Sequence, residues 1–279
     1  MNPTAQLYQS LEVAYQFFNE QLFDKSLPNV IFTVQRQKGV MGYFAPERWG
    51  TLSGESCHEI AINPSYIAQS RTIEVLQTLV HEMVHCWQFC HGEPGRKFYH
   101  NKEWAFKMIE VGLMPSSTGE PGGHIVGQQM SDYVLADGKF YLACDRLLSN
   151  ESFRLNWVDR KALPRLFHPL IINSDDAIFP EGASKPTILS SPPINSDLGE
   201  EENLEHVLPI VKSSSLLMET PFSELVPAGF LLQEQMKKPK RYRYVCPGCD
   251  VKIYGKPNLK VRCEECDERF VWTSYETDH

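Results

Sequence analysis

Val80-His81-Glu82-Met83-Val84-His85 lies inside a long apolar-periodic run, Thr72 to His91, and the reading of that run decides the rest of the chain. Taken as one α-helix, in which each residue turns by about 100°, it places His81 and His85 on one face a turn apart, with Glu82 at the edge of that face. Gln77, Thr78 and Gln88 fall on the same polar face, while Leu76, Leu79, Val80, Met83, Val84 and Trp87 form a core-facing stripe on the other. A buried helix that keeps one polar stripe of two imidazoles and a carboxylate suits a catalytic zinc site. Histidines at i and i+4 present ring nitrogens to one ion, and the carboxylate serves as general base toward water. A chance pairing of surface histidines would not carry a full apolar stripe behind it.

Around this helix the chain reads as a small α+β domain. Residues 4–24 place Leu7, Leu11, Val13, Ala14, Tyr15, Phe17, Phe18, Leu22 and Phe23 at helix-like spacing ahead of Pro28. Val30 to Val34, Met41 to Phe44 and Glu59 to Ile62 read as strands, with Pro46-Glu47-Arg48-Trp49-Gly50 as a loop between them. The expected fold class is therefore a small sheet packed on the active-site helix. Beyond Gly92-Glu93-Pro94-Gly95, a strong break, the stretch Phe98 to Trp104 runs into a second helix that continues to about Val111. Around Asp137-Gly138, the alternation of Tyr133 and Leu135 with Phe140 and Leu142 predicts a hairpin spanning Met130 to Leu148.

A catalytic zinc needs three protein ligands and an open position. His91 stands six residues after His85, at the offset of H-E-x-x-H-x-x-G-x-x-H, but Gln88 occupies the position where that pattern turns the chain with glycine. His100 follows the glycine-proline break and precedes another helix, so it can return to the ion, and it is the favoured third ligand with His91 as runner-up. At the C-terminus of its helix, His91 needs no catalytic role. Cys86 and Cys90, a turn apart on the central helix, read as packing residues. Tyr99 is an oxyanion donor only by position, and core packing is the stronger account of it.

Near the C-terminus, Cys246-Pro247-Gly248-Cys249 and Cys263-Glu264-Glu265-Cys266 form C-x2-C-x13-C-x2-C. Four thiolates from two turns close a tetrahedral structural zinc, which a module with little core of its own needs in order to fold. Strands are expected at Tyr242 to Val245, Val251 to Tyr254, Lys260 to Arg262 and Phe270 to Trp272. The expected metal complement is Zn²⁺ at two sites, one catalytic and one structural.

The net charge of −8 is unevenly spread. Residues 168–236 carry eleven acidic and two basic side chains, whereas 237–279 carry ten basic and seven acidic ones. The domain reading is accordingly 1–167 metallopeptidase domain, 168–236 acidic, disordered linker rich in Pro and Ser, and 237–279 zinc ribbon. Lys237, Lys238, Lys240, Arg241 and Arg243, with Tyr242 and Tyr244 interleaved, suit phosphates and unpaired bases, so DNA, single-stranded DNA included, is an expected partner beside a protein substrate. A basic tether that only solvates the ribbon is the plainer alternative. No run approaches the roughly 18 apolar residues of a membrane span, and no leader is visible before Glu20. With reduced, metal-type cysteine usage, these features place the protein in the cytoplasm, or at a nucleoid or nucleus. Oligomeric state is not readable from the sequence.

Glu59-Ile60-Ala61-Ile62-Asn63-Pro64, His81-Glu82-Met83-Val84-His85 and His100-Asn101-Lys102-Glu103-Trp104 together resemble the SprT-like family, which includes the Spartan DNA-dependent proteases. The likeness covers roughly 1–115 and 240–275. It implies a zinc-dependent protease acting on proteins bound or crosslinked to DNA, with a C-terminal zinc ribbon. One departure stands out: the family commonly has glycine directly after the third histidine, where this chain has Asn101.

Overall fold

The apolar stripe of the central run is buried as its spacing requires. In the computed structural model, Thr72–His91 forms one continuous helix, with Leu76, Leu79, Val80, Met83 and Val84 inside the main core. Burying side chains of this size is worth about 1.5–3 kcal/mol each relative to leaving them in water. Arg71 caps the helix, its backbone N–H donating to Glu74, and Gly92 ends it. The described residues are 2–150, 153–166, 169–183, 218–232, 242–256 and 258–273, and they fall into two units, Met1–Leu232 and Gln233–His279.

In chain order the first unit contains α1 (Pro3–Leu22), β1 (Val30–Val34), β2 (Gly42–Gly50), β3 (Ser56–Ile62), α2 (Pro64–Ile67), α3 (Thr72–His91), α4 (Lys102–Val111), β4 (Leu113–Ser116), β5 (Ser131–Leu135), α5 (Lys139–Ser149), β6 (Ile171–Ile172) and α6 (Phe222–Leu225). The class is α+β, as expected. One sheet has the order β1-β3-β2, with β1 parallel and β2 antiparallel to the central β3. Ile60 and Ile62 of β3 join the core, while α1 adds Leu11, Ala14, Tyr15, Phe18 and Leu22. The second sheet, β4-β5-β6, lies farther along the chain. No helix among the described residues is long and apolar enough to cross a membrane.

Three expectations need correction. First, Pro46 to Gly50 is not a loop. It continues β2, with a register shift between Ala45 and Trp49, and Pro46 is tolerated there because β2 is an edge strand.

Second, there is no hairpin at Asp137-Gly138. β5 stops at Leu135 and α5 begins at Lys139. Phe140, Ala143, Cys144, Leu147 and Leu148 are the buried positions of α5, which is a helical period, and the brief alternation of Phe140 with Leu142 concealed it. β5 pairs instead with β4 (Val134 opposite Leu113) and β6 (Val134 opposite Ile171).

Third, the flanks of the 168–236 segment are part of the first unit. Ile171 and Ile172 add a strand to β5, Met218 and Phe222 insert into the main core, and the Phe222 N–H donates to the Ser70 carbonyl just before α3. Average composition hid these few apolar anchors among acids and serines. The remainder of the segment, including Leu204 to Val211, lies outside the described residues, as do Lys237 to Arg241.

The second unit is a three-stranded sheet, β8-β7-β9, built from β7 (Tyr242–Val245), β8 (Lys252–Gly255) and β9 (Val271–Thr273). The expected strand at Lys260 to Arg262 is reduced to one bridge, Arg262 to Arg269.

Candidate metal centre and active-site cleft

α3 supplies His81, Glu82 and His85, and the chain returns to them after the Gly92–Gly95 break. His100 pairs with Gly127 through two backbone hydrogen bonds, N–H to O at 2.8 and 3.1 Å, and this fixes where its ring stands. The ligand atoms of His81, His85 and His100 all lie within 4.8 Å of one another. The Nε2 atoms of His85 and His100 are 3.1 Å apart. Beneath the cluster, the ring of the buried Trp104 contacts all three imidazoles, with centroids 5.0, 5.3 and 4.3 Å away for His81, His85 and His100. The rings cannot drop toward the core.

Hydrogen bonds on the far nitrogens set the tautomers. Nδ1 of His81 faces Asp132 Oδ2 at 2.9 Å, and Nδ1 of His100 faces the Gly127 carbonyl at 3.1 Å. Both partners only accept, so each Nδ1 carries the proton and each Nε2 lone pair is left for an ion. That donor set fits zinc, which takes neutral imidazole nitrogens whose other N–H is held by a carboxylate or a carbonyl.

Burial lowers His85 well below the usual imidazole range and brings His100 down to about 4, with neighbouring histidines adding to both effects. Burial also draws His81 down, but its hydrogen bond to Asp132 and the charges of Glu82 and Asp132 outweigh it, and its pKa is raised. Glu82, buried beside His81, is pushed up to about 7 by desolvation, which His81 and a backbone hydrogen bond from Phe44 partly oppose.

The cluster opens into a cleft of about 1110 Å³, walled by β2 on one side and by Gly95 to Tyr99 and Gln128 to Asp132 on the others. β2 approaches α3 closely because residue 42 is glycine. A Cβ there would stand 2.8 Å from the Ala61 carbonyl oxygen, 2.9 Å from Thr78 Cγ2 and 3.5 Å from Glu82 Cγ. An isolated glycine at a strand start carries no functional signature, so nothing in the sequence singles out Gly42. Asp132 is equally silent there, being 51 residues from the histidine it touches and part of no local motif.

His91 is not at the cluster. It is exposed at the end of α3, with Nε2 3.0 Å from the Ser26 carbonyl oxygen. Asn101 does not need to be glycine. It caps α4 with ordinary extended backbone, φ −87°, its side chain accepting from Trp104 N and from Gln88 Nε2. Cys86 packs in the core as read, but Cys90 is exposed, its sulfur 3.7 Å from His58 Nε2. Tyr99 is half-buried at the cleft wall rather than in the core.

In the second unit, the sulfurs of Cys246, Cys249, Cys263 and Cys266 lie within 4.8 Å of one another. Each pair is followed by an aspartate in left-handed conformation, Asp250 at φ 56° and Asp267 at φ 54°, so the two turns repeat one backbone shape. Gly248 lets the second turn come close to the first, because a Cβ there would stand 2.7 Å from Cys266 Cβ. Tyr244 is buried, donating its hydroxyl to the Lys256 carbonyl, and is therefore a core residue rather than a base-stacking one. Among the described residues of this unit Tyr254 is an exposed aromatic, with Lys252, Lys256 and Lys260 also at the surface.

The model of the SprT-like family matches residues 11–120. A protein of Salmonella typhimurium, described as an uncharacterized protein in mucB 3'region, is 44% identical over 59 residues, which span 21% of this chain and 80% of that protein. No solved structure matches the chain.

Proposed function

The chain belongs to the SprT-like family, and from that premise we propose that it is a zinc-dependent endopeptidase acting on proteins bound or crosslinked to DNA. The observation that carries the peptidase reading is the convergence of His81, His85 and His100 beside the buried Glu82 at the floor of an open cleft. In this reading the three histidines hold the catalytic ion, and the four cysteines of the second unit hold a structural one.

A zinc ion supplies Lewis acidity, polarising a carbonyl and acidifying water. The remaining work falls to the protein. Glu82 takes a proton from water on its carboxylate and passes it to the leaving amine nitrogen, a dual role suited to a group poised near neutrality. Trp104 keeps the imidazoles from retreating, and β2, an edge strand lining the cleft, offers its outer edge to an extended peptide.

DNA as the setting of the substrate rests on the family likeness and on the basic character of residues 237–279. Two other readings differ in kind: an adaptor whose histidine site is only structural, and a protease for one particular protein without DNA. The deciding experiment incubates the full chain and its Glu82→Gln variant with a DNA-bound protein, with and without single-stranded DNA. Fragments that require both Glu82 and DNA are expected. Absence of cleavage by the wild type favours the adaptor, and cleavage indifferent to DNA favours the single-substrate protease.

A further inference from the structure

We propose that Asp132 is the positioning residue of the histidine site, fixing His81 for the metal from outside the segment that defines the family. The inference rests on the metal reading above and extends it to a residue beyond 11–120, the residues the family model matches.

Asp132 sits in β5 and is 6% exposed. Its two carboxylate oxygens are separately engaged. Oδ2 lies 2.9 Å from His81 Nδ1, and Oδ1 accepts from Gln77 Nε2 at 2.6 Å, with Gln77 also donating to the Asp132 carbonyl at 2.9 Å. Gln77 stands one turn before His81 on α3, so a single helix face both presents the ligand and clamps the group that orients it. With both oxygens held, the carboxylate cannot rotate away, and His81 keeps its proton on Nδ1 and its lone pair on Nε2. A carboxylate behind a ligating imidazole also makes that imidazole a stronger donor.

β5 has its own support. It lies between β4 and β6, and β6 comes from the segment whose composition resembles a linker. The Val134 N–H donates to Leu170 O at 3.0 Å and the Ala136 N–H to Ile172 O at 2.9 Å, two residues and four residues beyond Asp132. A piece of the chain ending at residue 120 would thus contain all three histidines and lack the group that aims the first of them.

The test uses the full chain, stripped of metal and reloaded with Co²⁺ or Zn²⁺, and reads affinity by chelator competition and ligand field by cobalt absorption. His85→Ala defines which part of each signal belongs to the histidine site. Asp132→Ala is expected to weaken that site by about 10–100-fold and shift its cobalt bands while leaving the cysteine site unchanged. Asp132→Asn keeps an acceptor for His81 and loses the charge, so its affinity should fall between Ala and wild type. Wild-type affinity and unaltered bands in a folded Asp132→Ala overturn the role. If that variant does not fold, the isosteric Asp132→Asn decides in the same way. Should the wild type hold no more metal than His85→Ala, the metal reading of the histidine cluster itself falls, and this role with it.

Discussion

Nε2 of His85 and Nε2 of His100 face each other at 3.1 Å across a gap of 15 residues in sequence. Two imidazole nitrogens at that distance need a cation or a proton between them. Lowered pKa values keep both rings neutral, the form in which imidazole binds a metal ion.

The chain should therefore bind about two zinc ions, one per cluster, by elemental analysis of purified protein. His85→Ala and His100→Ala should each lose about one ion and leave the cysteine site loaded. His91→Ala should lose none, because its ring is turned to the Ser26 carbonyl. Loss of metal in His91→Ala with retention in His100→Ala would reverse the ligand assignment.

Glu82→Gln preserves shape and removes the base. Zinc content should persist while cleavage falls by about 10²–10⁴-fold, the usual contribution of general-base catalysis. Cleavage at the wild-type rate would take Glu82 out of the mechanism.

Gly42→Ala places a methyl group 2.8 Å from the backbone oxygen of Ala61, which cannot swing aside as a side chain could. β2 must move off α3, at a cost of about 1–3 kcal/mol. A lowered Tm with full zinc content and reduced cleavage is the expected combination. An unchanged Tm would mean that the close approach of β2 is not required.

Phe222 and Met218 enter the main core from the far side of an acidic stretch. Phe222→Ala should destabilise the first unit by about 3–5 kcal/mol, as for a large aromatic removed from a packed interior. Denaturant unfolding measures this. A loss below ~0.5 kcal/mol, the range of ordinary surface substitutions, would return residues 218–232 to the status of linker.

Neutralising Lys237, Lys238, Lys240, Arg241 and Arg243 together should weaken DNA binding and flatten its dependence on salt, since fewer cations on the protein displace fewer counterions from the phosphates. Cleavage of a free unfolded protein should be spared. Unchanged affinity and salt slope would direct attention to a protein partner for the C-terminal module.

What could be read from sequence alone is what local geometry fixes. Thr72–His91 was legible as a helix because its apolar spacing is helical throughout, and that spacing sets His81, Glu82 and His85 relative to one another. The four cysteines were legible because two short turns of fixed length can bring sulfurs together with little help from the rest of the chain. Whatever depends on distant partners was settled by the tertiary structure. His100 reaches the site through pairing with Gly127, and Asp132 reaches His81 on a strand whose sequence suggests a hairpin. Phe140 to Leu148 fits a short strand or a helix over a few residues, and only the core that receives Phe140, Ala143 and Leu147 settles the choice. Likewise, Ile171, Met218 and Phe222 are too sparse to mark a domain by composition. A few anchors suffice once a packed core and a strand edge are there to bury and pair them.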